Sequence, residues 1–126
     1  MKMLNILLSF MVLLFVSGCN EKSEVDISNL MGKTEDYFKQ LAEVDTVATS
    51  FDGKKDITFR MMVEGTPTEE QAQALFNEVL ISFEKYSNQS ELWDDYNGYF
   101  DIKNYDDGVI YEASKIIGEE LKIISK

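Results

Sequence analysis

The chain has 126 residues and a formal net charge of −11, from 12 basic and 23 acidic side chains, with one Cys, one Pro, one Trp and no His. That length is one domain at most, and one Cys cannot build an internal disulfide framework, a Cys-based zinc site or an iron–sulfur site. The lack of His removes Ser-His-Asp and Cys-His catalysis, and the acidic balance argues against nucleic acid, which is bound through clustered Lys and Arg.

The chain opens on Met1-Lys2-Met3, a short positive segment, followed by an apolar run from Leu4 to Val16 broken only by Asn5 and Ser9. The run is shorter than the about 20 residues of a membrane span and fits the apolar core of a secretory signal, about 7–15 residues. Val16-Ser17-Gly18-Cys19 follows. This resembles the bacterial lipobox: a branched apolar residue, two small residues and Cys. The resemblance implies that the Cys19 thiol receives a diacylglycerol through a thioether and that the signal is cut between Gly18 and Cys19. The expected organisation is a signal peptide over 1–18, a lipid-anchored tether over 19–27 and one extracytoplasmic domain over 28–126. Stable anchoring takes two acyl chains, so the protein is expected on the outer face of the cell membrane. Loss of Lys2 leaves the mature chain one unit more negative, and the acidic tether is repelled by anionic headgroups. Usage rich in Lys, Asn and Ile suggests a low-GC Gram-positive source.

In the folded part, Ser28 or Asn29 can cap a first helix over 28–42, with Leu30, Met31, Thr34, Tyr37, Phe38 and Leu41 at helical spacing. Residues 46–64 read as a hairpin. Thr46–Phe51 leans to strand, Asp52-Gly53 favours a turn, and Ile57, Phe59, Met61 and Val63 alternate with Thr58, Arg60, Met62 and Glu64. Thr66-Pro67-Thr68-Glu69 starts a second helix over 67–87, with Thr66 as cap, Pro67 at the first helical position and Glu69 closing a capping box. Its stripe of Ala72, Leu75, Phe76, Val79, Leu80 and Phe83 is expected in the core.

A second hairpin is expected within 91–115, with Tyr99–Asn104 and Val109–Ser114 as strands and Tyr105-Asp106-Asp107-Gly108 as the turn. The tail, with Ile116, Ile117, Leu121 and Ile124, suits a short closing helix, while Gly118 and broken spacing leave a strand open. The order helix–hairpin–helix–hairpin predicts an α+β fold: two layers, an antiparallel sheet of two hairpins with two main helices packed on one face.

Carboxylates are the only abundant reactive groups. Asp94, Asp95, Asp101, Asp106, Asp107 and Glu112 cluster around the second hairpin. Acid/base work on a glycoside needs two carboxyls at about 5–9.5 Å, but these acids fall in polar turns, so no catalytic residue and no cofactor is expected. No Gly is preceded by the ligand spacing of an EF-hand, which leaves only an irregular calcium site at Asp94, Asp95 and Asn97 to weigh; no metal is expected. Trp93, Asp94, Asp95, Tyr96, Tyr99 and Tyr105 form the candidate interface, since Tyr and Trp combine apolar area with a polar tip.

These features point to a non-enzymatic surface lipoprotein that binds another protein. In overall length, in the Val16-Ser17-Gly18-Cys19 anchor and in its compact acidic domain, the chain resembles the small exclusion lipoproteins of integrative conjugative elements in Bacillus-type bacteria. The resemblance implies a protein on the would-be recipient's surface that contacts the incoming transfer machinery and blocks redundant transfer. The alternative is a ligand- or ion-binding lipoprotein of the cell envelope, using the exposed sheet face or the acidic turn.

Overall fold

The computed structural model describes residues 26–126, which form two helices and a five-stranded sheet. Helix α1 spans Ile27–Lys39. Its cap is Asp26, whose carboxylate accepts from the Asn29 backbone N–H at 3.1 Å. This corrects the expected cap at Ser28 or Asn29. A carboxylate also suits the positive end of the helix dipole. Ile27, Leu30, Thr34 and Phe38 are its buried stripe, and the buried Thr34 hydroxyl donates to the Leu30 carbonyl at 2.9 Å. The helix ends three residues before the expected 42. There the chain tightens through Leu41 N–H to Phe38 and Val44 N–H to Leu41 and enters the sheet.

Strands β1 (Val44–Phe51) and β2 (Asp56–Val63) pair antiparallel, with an irregularity beside Val44. Their turn is built by Asp52, whose Oδ1 accepts the backbone N–H groups of Lys54, Lys55 and Asp56 at 2.8–3.0 Å. Gly53 sits at φ +84°, where an L side chain is strained.

Helix α2 spans Glu69–Ser87. Its cap is Thr68 and its capping box partner is Gln71, not Thr66 and Glu69. Both pairs satisfy the same spacing rule. A contact distant in sequence accompanies the choice: the Tyr111 hydroxyl donates to the Pro67 carbonyl at 2.8 Å, holding Pro67 to the sheet and outside the helix. Asn88 ends the helix in the left-handed region at φ 61°, which Asn tolerates. Ala72, Phe76, Val79 and Phe83 of the expected stripe are fully buried, and Leu75 and Leu80 pack partly buried against the same core.

After a 3₁₀ turn at Leu92–Asp94, strands β3 (Asn97–Asn104) and β4 (Gly108–Lys115) form the second hairpin. The tail forms a short strand, β5 (Lys122–Ser125), antiparallel to β4; the closing helix is not formed. The sheet order is β1-β2-β3-β4-β5.

One pair departs from the expected antiparallel sheet. β2 and β3 are parallel, in register from Asp56–Asn97 to Val63–Asn104. The reason is length. At about 1.5 Å per residue, α2 returns the chain along the whole of an eight-residue strand, so β3 starts at the end where β2 started. The fold is therefore α+β, with both helices on one sheet face. The core forms there: Phe38 and Phe83 pack edge-on against Phe59 at 5.0 and 6.0 Å, and Phe76 stacks on Phe100 at 6.4 Å.

Candidate functional site

The six expected interface residues do not form one surface. Trp93 is in the core, 4% exposed, so its place in the interface is corrected. Its ring lies 5.6 Å from Phe83 and 5.8 Å from Phe100, and its indole N–H donates to the Leu80 carbonyl at 3.1 Å. Gly98 makes room for it. A Cβ at Gly98 would collide with the Phe100 ring and come within 2.9 Å of Trp93 Cζ3. Tyr96 is half-buried and packs edge-on against Phe51 at 6.0 Å. Asp94 and Asp95 are exposed beside the 3₁₀ turn. Tyr99 is 41% exposed on the sheet, and Tyr105, 61% exposed, sits at the tip of the β3–β4 hairpin. Six residues along a strand are about 20 Å, so Tyr99 and Tyr105 serve different ends of the domain. The Tyr105 hydroxyl donates to the Asp45 carboxylate, which pushes its pKa above the usual phenol value.

Of Asp94, Asp95 and Asn97, weighed as an irregular calcium site, Asn97 has its side chain bonded within the protein. The Asn97 side-chain Oδ1 accepts from the Ile117 backbone N–H at 2.8 Å, and its Nδ2 donates to Asp56 Oδ1 at 3.0 Å. Asp94 instead acts on Glu84: burial first, then the Asp94 carboxylate, push the Glu84 carboxyl above its ordinary range, opposed by Lys115. Among the described residues no group of acids is arranged to hold a metal ion.

The sheet face opposite the helices is the first of two surfaces able to meet a partner. Register aligns Ser50, Thr58, Tyr99, Ser114 and Lys122 in one row across the strands, and Ala48, Arg60, Asp101, Glu112 and Ile124 in the next. Arg60 Nε and Nη2 donate to the two Asp101 oxygens at 2.8 Å each. That fork raises the Arg60 pKa further above its normal value. Lys126 reaches Glu112 at 3.5 Å. Tyr99 and Ile124, the latter 58% exposed, border a shallow depression of about 240 Å³ with Asp101 and Glu112. Arg60 and Ile124 were absent from the expected interface, although the alternation through 57–63 placed Arg60 opposite the core.

The second surface is a larger cavity, about 550 Å³, where α1 ends beside the first half of α2. Its apolar part is Leu41, Val63, Pro67, Ala74 and Leu75, and three glutamates, Glu43, Glu64 and Glu78, stand around it. Tyr37 donates to Glu78 Oε1 at 2.6 Å, a bond that with burial raises the Tyr37 pKa. No local pattern marks this cavity in the sequence, because its walls come from three stretches of chain, 37–43, 63–67 and 71–78.

The lipobox residues Val16, Ser17, Gly18 and Cys19, with the expected 1–18 signal, lie outside the described residues. No described helix is long and apolar enough to cross a membrane. No protein-family model, curated protein or solved structure matches the chain.

Proposed function

We propose that the protein is a non-enzymatic lipoprotein, held on the outer face of the cell membrane by diacylglyceryl Cys19, that binds another protein. In the particular role implied by its resemblance, it excludes a conjugative element from a cell by contacting that element's transfer machinery. The supporting observation is the open sheet face. Tyr99 and Ile124, large and exposed, share one depression with Asp101, whose carboxylate holds the Arg60 guanidinium. Tyr and Arg beside an exposed aliphatic side chain are the composition enriched at protein interfaces. The depression is shallow and about 240 Å³, smaller than the usual small-molecule site of about 300–1,000 Å³, which favours a protein over an enclosed small molecule.

Expression of the lipoprotein in a recipient lowers acquisition of the cognate element and leaves an unrelated element unaffected. An unchanged transfer frequency for the cognate element removes the exclusion role. Tyr99→Ala restores acquisition while the protein stays folded and membrane-bound. Full exclusion by that variant moves the interface off the open sheet face. Cys19→Ala abolishes lipid labelling of the chain, and labelling that persists removes the anchor.

A further inference from the structure

The cavity at the end of α1 carries an inference that deepens the protein-binding reading and rests on it. Its volume, about 550 Å³, lies in the range of ligand sites, about 300–1,000 Å³. It is nevertheless no closed pocket. Glu43, Glu64, Thr66, Gln71 and Ala74 all line it and are all exposed. The space is a groove, open along one side.

The groove has a structural origin. α1 is 13 residues long and α2 is 19, so the shorter helix stops before it covers the first turns of the longer one. Leu75 of α2 and Val63 of β2 are left as an apolar floor, with Leu41 and Pro67 at its sides. Apolar area of this kind gains free energy when covered, about 25 cal/mol per Å².

Charge defines the cover. Glu43 in the α1–β1 connection, Glu64 just after β2 and Glu78 on α2 all line the groove, and among the described residues none that lines it is Lys or Arg. An acidic or neutral apolar segment would bury these carboxylates without compensation. A segment with aliphatic side chains on one side and Lys or Arg on the other meets both the floor and the rim.

Position agrees with this. α1 starts at Asp26, where residues 19–25 join the domain, and runs about 20 Å toward the groove. The groove lies at the end of α1 opposite to where the chain from Cys19 enters the domain.

We infer that the groove between the end of α1 and the first half of α2 binds a basic, apolar peptide segment of the partner protein, with Leu41, Val63 and Leu75 receiving its aliphatic side chains and Glu43, Glu64 and Glu78 its cations.

The test uses the full chain in nanodiscs of zwitterionic lipid, with empty discs as blank, and fluorescence anisotropy of a labelled ten-residue peptide of alternating Leu and Lys. The Lys peptide binds, and the same peptide with Glu in place of Lys does not. Glu43→Gln with Glu64→Gln weakens binding roughly tenfold. Ala74→Arg, which sets a fixed cation on the groove wall at an exposed position, abolishes it. Asp94→Asn with Asp95→Asn removes the same charge at the other end of α2 and changes affinity less than about twofold. Circular dichroism confirms that each variant is folded. The inference is overturned by no binding of the Lys peptide, by equal weakening in both double variants, which means bulk charge alone, or by unchanged binding to Ala74→Arg. Recipient frequency is read separately. Groove binding in a lipoprotein that fails to exclude removes the exclusion role and keeps the groove; exclusion without peptide binding does the reverse.

Discussion

The two faces of the sheet are made from the same strands and differ in what their alternate residues do. On the covered face, Ile57, Phe59, Met61, Phe100 and Ile102 are buried under the helices. On the other, Thr58, Arg60 and Tyr99 meet water. A period of two separates them along β2 and β3, while the register shift at Ile102/Lys103 leaves the β4 neighbours Ile110 and Tyr111 both buried. The difference teaches where sequence change can be tolerated. A covered position touches many neighbours at solid density, so any change of volume costs free energy. An open position has only its cross-strand neighbours, so side chains can change there to suit a partner while the fold stays intact.

The comparison is sharpened most by Trp93, an aromatic that sequence alone places in an exposed contact loop and that the structure buries with the covered face. Trp93→Ala removes its contacts with Phe83 and Phe100 and its bond to Leu80. The expected loss is about 3–5 kcal/mol, within the range of large-to-small core changes, read as a lower urea midpoint. A change below about 0.5 kcal/mol, the ordinary surface value, would put Trp93 on the surface after all. Gly98→Ala tests the same packing from beneath. Its Cβ forces the Trp93 and Phe100 rings to shift, and overpacking of this kind costs about 1–3 kcal/mol.

Arg60→Ala tests the open face. Its pair with Asp101 has good two-pronged geometry, but Arg60 is about half exposed. The expected cost is less than about 1 kcal/mol and shrinks in high salt. A loss comparable to that at Trp93 would break the contrast between the faces.

Much of this contrast was legible. The alternation from Ile57 to Val63 predicts which side chains of β2 are buried, and the stripe from Ala72 to Phe83 predicts the inward face of α2. What was not legible depends on contacts between distant residues. Thr66 and Thr68 offer equal capping boxes, and the Tyr111–Pro67 bond, 44 residues apart, goes with the second. Trp93 looks like an exposed loop aromatic because its neighbours are Asp94 and Asp95. Its burial needs the absent side chain of Gly98 and the carbonyl of Leu80. The parallel β2–β3 pair follows from the long helix between the two hairpins, a crossover whose direction local turn and strand patterns do not carry. The groove has no local signal, since it exists only because α1 is shorter than α2.

The smallest expected effect lies in pH. Glu112 on the open face, with its side chain 44% exposed, keeps much of its water, whereas Glu84, half-buried, loses part of it and also feels Asp94. Both effects disfavour the charged form, so the folded-state pKa lies above the unfolded value, about 4.3. The folded protein therefore holds the Glu84 proton more tightly. That contribution to stability is complete below about pH 4.3 and is lost as pH rises through the folded-state value. Gln at this position has no such titration. In urea unfolding at a series of pH values, Glu84→Gln gains stability relative to the parent as pH rises from about 4 toward neutrality. Asp52 gives the opposite sign: the backbone N–H groups of Lys54 and Asp56 hold its pKa below the usual value. Its contribution is present above the unfolded pKa and is lost as pH falls through the folded one, so Asp52→Ala costs more at neutral pH than in acid. Parallel pH profiles for Glu84→Gln and the parent would show that Glu84 is as well solvated as an open-face acid, and would weaken the distinction between the faces where charge is concerned.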